Sequence, residues 1–140
     1  MKKLLATLSL LFLLVIPLSF EVSAQTTNLP VMEGAIGKYK IKMKLSFDNE
    51  KQTVTGWYYY KSKGAANKIR LKGKFKGDTE YDGFTMTETV GGKVTGTFDC
   101  EYSWGTGTIA YGGEPFISVS GTFTNASGKE FDFEVSNYSE

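Results

Sequence analysis

Histidine is absent from this chain, and cysteine occurs once, at Cys100. Without histidine the commonest general base and the commonest metal ligand are both missing. A lone cysteine excludes an intrachain disulfide, and such a residue is more often a small buried apolar group than a reactive thiol. No Ser-x-x-Lys arrangement and no close acid pair stands out, so neither an activated nucleophile nor the facing carboxylates of a glycosidase is indicated. These absences point away from an enzyme, and no cofactor or metal site is expected. Long apolar runs are missing too, except at the N-terminus.

That one run, Leu4 to Ile16, follows Lys2 and Lys3 and ends at Pro17. It is shorter than the ~20 residues that span a bilayer. Val22-Ser23-Ala24 then offers small residues at the −3 and −1 positions of a cleavage site. Residues 1–24 therefore read as a signal peptide cut before Gln25, and the protein as exported, to the periplasm or beyond the cell. Residues 25–34 read as a flexible lead and residues 35–136 as one domain. No membrane span is expected after cleavage.

Charge is informative by position. Residues 38–76 hold 12 basic side chains against Asp48 and Glu50, whereas residues 77–140 hold Lys93 and Lys129 against 11 acids. The two halves carry about +10 and −9.

From Ile36 onward the sequence alternates with period two, the mark of strands with one buried face. Tyr39, Ile41, Met43, Leu45 and Phe47 share one face of a first strand, and Lys38, Lys40, Lys42 and Lys44 the other. Further strands run through Val54–Tyr60, Ile69–Phe75, a less regular Phe84–Glu88 with a bulge near Gly83, Val94–Cys100, Thr106–Tyr111, Ile117–Phe123 and Phe131–Val135. Polar or glycine-rich turns separate them. An apolar residue, a glycine two later and an aromatic two later recur as Ala35-Gly37-Tyr39, Val54-Gly56-Tyr58, Leu71-Gly73-Phe75, Val94-Gly96-Phe98 and Val119-Gly121-Phe123. An inward glycine lets a strand bend sharply while the aromatic fills the space beside it. Repeated along the chain, this predicts an all-β, eight-stranded antiparallel up-and-down barrel, with a two-sheet β-sandwich as the alternative. Closure by the first and last strands would set Lys38, Lys40, Lys42 and Lys44 against Glu130, Asp132 and Glu134, a ladder that explains much of the charge asymmetry.

Several segments are similar to a known family. Gly37-Lys38-Tyr39 resembles the Gly-x-Trp that opens lipocalin and avidin barrels, with Tyr for Trp. Val54-Thr55-Gly56-Trp57-Tyr58 and Val94-Thr95-Gly96-Thr97-Phe98 resemble the Thr-Gly-x-Tyr strands of avidin-type barrels. This calycin likeness implies a binder of small molecules or proteins. Ser120-Gly121-Thr122-Phe123 and Ser62-Lys63-Gly64 resemble, in reverse order, the Ser-Gly-x-x-Tyr and Lys-Gly motifs of bacterial lysozyme inhibitors.

Two candidate sites emerge. Outside, Trp57 and Tyr59 have outward parity between the lysine rows of the neighbouring strands, making a basic face of Lys40, Lys42, Arg70, Lys72 and Lys74 with central aromatics. Such a face suits an acidic protein or an anionic glycan; equally, the lysine stems can simply pack on the rings as cation–π and snorkelling contacts. Nucleic acid fits the chemistry but not an exported location. Inside, Glu88 is an acid of inward parity: it sits either at a solvated barrel mouth, as parity favours, or as a polar hook with Tyr58 and Tyr60 as hydrogen-bond partners for a small hydrophobic ligand. The expected function is binding at the outer face, with an interior small-molecule carrier or an inhibitor of a lysozyme-like glycosidase as alternatives. A packed interior would favour the outer face.

Overall fold

In the computed structural model, which describes residues 26–106 and 115–138, the alternating segments are strands. They are β1 Thr26–Asn28, β2 Met32–Ile36, β3 Tyr39–Asp48, β4 Thr53–Tyr60, β5 Ile69–Phe75, β6 Phe84–Val90, β7 Lys93–Thr106, β8 Pro115–Asn125 and β9 Glu130–Ser136. Single 3-10 turns, Ala65–Asn67 and Glu80–Asp82, sit in the connections before β5 and β6. Strands β2 to β9 each pair antiparallel with the next, and β9 returns to pair with β2. The ring is closed, so the chain is an eight-stranded up-and-down barrel and the sandwich alternative falls. β1 lies outside the ring and extends the line of β2 along the same edge of β3.

Eight strands close the ring, but one of them differs from expectation. Within the expected lead of residues 25–34, Thr26–Asn28 is a strand and Met32 opens another that runs to Ile36, so the barrel begins at Met32. The strand expected at Thr106–Tyr111 falls outside the described residues except for Thr106, which ends the 14-residue β7. Residues 1–24, expected as a signal peptide, and the expected cut before Gln25 also lie outside them.

The inserted β2 removes the expected charge ladder. β3 and β9 are not neighbours in the ring, since β2 separates them, and Lys42 instead meets Glu33 of β2 at 3.0 Å. Charge asymmetry persists as two sides of one barrel. Lysines of β3 and β5 flank β4, while Asp99 and Glu101 of β7 and Glu130, Asp132 and Glu134 of β9 lie exposed across the ring.

The inward faces fill the barrel. Ile41, Met43, Leu45 and Phe47 of β3, Val54 and Tyr58 of β4, Phe84 of β6, Phe98 and Cys100 of β7, and Val119 of β8 are fully buried. Phe47 makes edge-on contacts with Phe75, Phe84 and Tyr102 at centroid distances of 5.6, 5.3 and 5.2 Å. Phe98 anchors a second aromatic cluster with Tyr58, Phe123 and Phe133. Inward glycines lie between large residues of both neighbours: Gly56 faces Leu45 and Leu71, and Gly73 faces Val54 and Met86.

Parity departs from expectation in two strands: in β2, Ala35 lies between outward Lys40 and Glu134 and Gly34 takes the inward place, with Gly37 in the turn. The other irregularity lies beside the β6–β7 turn and not near Gly83: Glu88 faces Gly96, yet Thr89 faces Val94, so Thr95 is an extra residue on β7. This bulge turns Val94 outward, where it is 60% exposed, contrary to its expected inward place. Tyr39, also expected inside, stands at the barrel rim and is 50% exposed.

Cys100 lies beyond the bulge and keeps its inward parity, fully buried. Burial pushes its thiol well above the ordinary range, with Asp99 adding to the effect. Native protein should therefore react with a thiol reagent only as fast as it opens, many times more slowly than in denaturant. Immediate labelling under native conditions would contradict the placement of β7.

Candidate functional site

The outer site is built on β4, whose alternate residues point away from the core. Trp57 pairs with Lys44 on one side and Arg70 on the other, and Tyr59 pairs with Lys42. Thr55 and Thr53 continue the row opposite Lys72 and Lys74. The Trp57 and Tyr59 rings are nearly parallel, 17° apart with centroids 5.8 Å apart. Both are half-buried, whereas Lys40, Arg70, Lys72 and Lys74 are exposed.

Lys68 was not singled out from the sequence, yet its ammonium lies 4.2 Å from the centre of the Trp57 ring. This is a cation–π contact. Its parity with Arg70, carried one residue ahead of β5, was the signal that would have found it. Beside it, Lys63, Lys68 and Arg70 rim a depression of about 720 Å3 that reaches the Gly91–Gly92 turn.

Lys42 is less available than its parity suggests. Its hydrogen bond to Glu33 raises its own proton affinity and holds the Glu33 carboxyl below the usual range, with the charge of Lys61 assisting. Lys61 lies 3.5 Å from the same carboxylate. Positive charge without an acidic partner is thereby centred on Lys44, Lys68, Arg70, Lys72 and Lys74 among the described residues. Lys40 stands apart, in a groove with Glu33, Lys61 and Glu134.

The interior residues come together, but not wholly as expected: Glu88 is buried and not solvated, and Tyr58 and Thr95, not Tyr60, are its donors. Glu88 is buried, with 6% of its surface exposed, and accepts hydrogen bonds from the Tyr58 phenol and from Thr95 Oγ1 at 2.7 Å. Tyr60 packs edge-on against Tyr58, with centroids 5.6 Å apart. Burial, then the neighbouring carboxylate, pushes the Tyr58 phenol far above its ordinary value, so it remains a proton donor. Thr95 was missed because only the bulge turns its hydroxyl inward.

Of the two segments similar to lysozyme-inhibitor motifs, residues 120–123 lie within β8 and residues 62–64 in the connection between β4 and β5. Among the described residues, no cluster of three Cys, Asp or Glu side chains is disposed to hold a metal ion. Nor is any helix there long and apolar enough to cross a membrane.

No family model matches this chain, and no curated protein or solved structure does either. The barrel is established by its strand register, and function has to be argued from the chemistry of the sites.

Proposed function

We propose that this chain is an exported, non-enzymatic binding module of calycin-like build, and that the outer face of β3, β4 and β5 takes an anionic glycan. The observation that carries this reading is the parallel Trp57–Tyr59 pair set among Lys44, Lys68, Arg70 and Lys72. The stacked rings offer apolar surface beside which a sugar ring can pack, Lys68 lies over Trp57 within reach of a bound anion, and the surrounding cations suit sulfate or carboxylate substituents. The filled interior supports the outer face over a carrier with a deep central cavity. Exposed lysines and a half-buried Trp also match the chemistry of interface anchors, which concentrate binding energy in a few aromatic and cationic residues.

Trp57→Ala separates this reading from a purely structural one. Binding of a sulfated oligosaccharide, followed by calorimetry, should weaken by about 2 kcal/mol or more. Stability should fall by only about 1 kcal/mol, from loss of the contact with Lys68. Affinity of the unsubstituted protein should drop steeply between low and physiological salt, because the cations are exposed. Unchanged affinity in the variant, or preference for an acidic protein surface over the oligosaccharide, would overturn the glycan assignment.

A further inference from the structure

The end of the barrel formed by the β2–β3, β4–β5, β6–β7 and β8–β9 connections holds a recess of about 220 Å3. Its walls include Tyr39, Tyr60, Phe123 and Phe131, and Glu88 lies at its base. The site is separate from the outer face, because these side chains have inward parity and Trp57 and Tyr59 do not.

Three features of this recess are chemically specific. Glu88 is the buried charged residue of the described core, and no Lys or Arg of the described residues pairs with it. Its two donors, Tyr58 and Thr95, supply hydrogen bonds but no positive charge. A carboxylate offers about four lone-pair positions, so acceptor capacity remains after those two bonds. A carboxylate in such surroundings lacks the counter-charge that would offset its desolvation.

The walls complement that need. Tyr39 and Tyr60 meet edge to face, with centroids 6.1 Å apart, and Phe123 and Phe131 lie 6.4 Å apart at 32°. Aromatic faces attract cations, most strongly where water is excluded. Two of these rings already draw ammonium groups of the chain itself: Lys38 lies 5.5 Å from the Tyr39 centroid and Lys129 lies 5.1 Å from that of Phe131.

Local backbone irregularity makes the site. The extra residue on β7 brings the Thr95 hydroxyl to the carboxylate. Gly96 leaves room for the Phe123 ring, since a Cβ there would collide with it and crowd Glu88 Oε1. A regular strand with a side chain at position 96 would have neither feature.

We propose that this mouth binds a small organic ammonium ion, with Glu88 as its counter-ion and the four aromatic rings as its walls. The ligand class is a primary or methylated amine carrying a compact apolar body of about one ring. The recess is smaller than the roughly 300–1,000 Å3 of drug-sized sites, which sets the upper size. An alcohol or hydrocarbon of the same shape would leave the carboxylate without a counter-charge and bind less well.

Benzylammonium chloride is the probe, and benzyl alcohol its uncharged counterpart, each titrated into the full chain and followed by amide shifts and calorimetry. Benzylammonium should bind saturably, at least about tenfold tighter than the alcohol, with shifts at Glu88, Gly96, Phe123 and Phe131. Glu88→Gln keeps the size of the side chain, removes its charge and replaces one acceptor oxygen by a donor NH2, and should abolish the preference for the amine. Tyr39→Ala changes a half-exposed rim residue, so the fold should persist while amine affinity falls several-fold. Trp57→Ala should leave amine binding unchanged, which keeps this test independent of the outer face. Equal binding of amine and alcohol would overturn the proposal, as would retention of the preference in Glu88→Gln or absence of saturable shifts with either probe. Should Glu88→Gln fail to fold, the amine–alcohol comparison and Tyr39→Ala still decide.

Discussion

Phe98→Ala is expected to lower the unfolding free energy by about 3–5 kcal/mol, measured by urea denaturation. Phe98 is fully buried and lies where four strands converge. Its ring meets Phe123 at 4.7 Å, Phe133 at 5.0 Å and Tyr58 at 5.5 Å, two of these edge-on. Those partners belong to β8, β9 and β4, and the closed ring leaves them little freedom to collapse into the space. The loss combines the transfer of an aromatic side chain with the residual cavity. A domain of this size has a total stability of about 5–15 kcal/mol, so the variant should be marginal. A loss below about 1 kcal/mol would mean that the interior is not packed as described.

Gly73→Ala is expected to be nearly as damaging, at about 3 kcal/mol, although it adds a single methyl group. A Cβ at this position would fall well inside contact distance of the Thr85 carbonyl oxygen and close to the Met86 Cα, both backbone atoms of β6. Side chains yield to an added methyl by changing rotamer, but a paired strand can yield only by giving up its ladder. Gly105→Ala is the matched control. It is also a strand glycine, and among the described residues nothing lies within 4 Å of the added atom. Its effect should stay within about 0.5 kcal/mol. Equal melting midpoints for the two variants would show that close strand approach at Gly73 does not shape the barrel.

The same glycines link fold and site. Sharp coiling brings β4 between two lysine-bearing strands on the outside, and inside it brings Tyr58 against Glu88, thirty residues away. The outer face follows from strand parity and order alone. The mouth also needs the bulge at Thr95, because a regular β7 would turn that hydroxyl away from the carboxylate.

Much of this was legible in the amino-acid order. Alternation in residues 39–47 and 69–75, and strand parity carried through the aromatic run of residues 57–60, assigned inward and outward faces, since side-chain direction in a strand is set by counting in twos. The recurring inward glycine pointed to a coiled, closed sheet, and the outward parity of Trp57 and Tyr59 and the inward parity of Glu88 both hold. What the order alone left open was decided by partners distant in sequence. Met32–Ile36 has little alternation of its own and becomes a strand because both its edges are taken, by β3 and by β9. Gly34 permits that double pairing, since a Cβ there would strike the Glu134 carbonyl. Once β2 lies between β3 and β9, Lys42 bonds Glu33 and the expected ladder to Glu134 is lost. Val94 looks inward by pattern and is outward by structure because a bulge shifts the count by one, and an apolar residue carries no mark of such a shift. Local sequence thus determined which face each strand buries, whereas pairing order and register, which depend on backbone hydrogen bonds between remote segments, were decided only when the barrel closed.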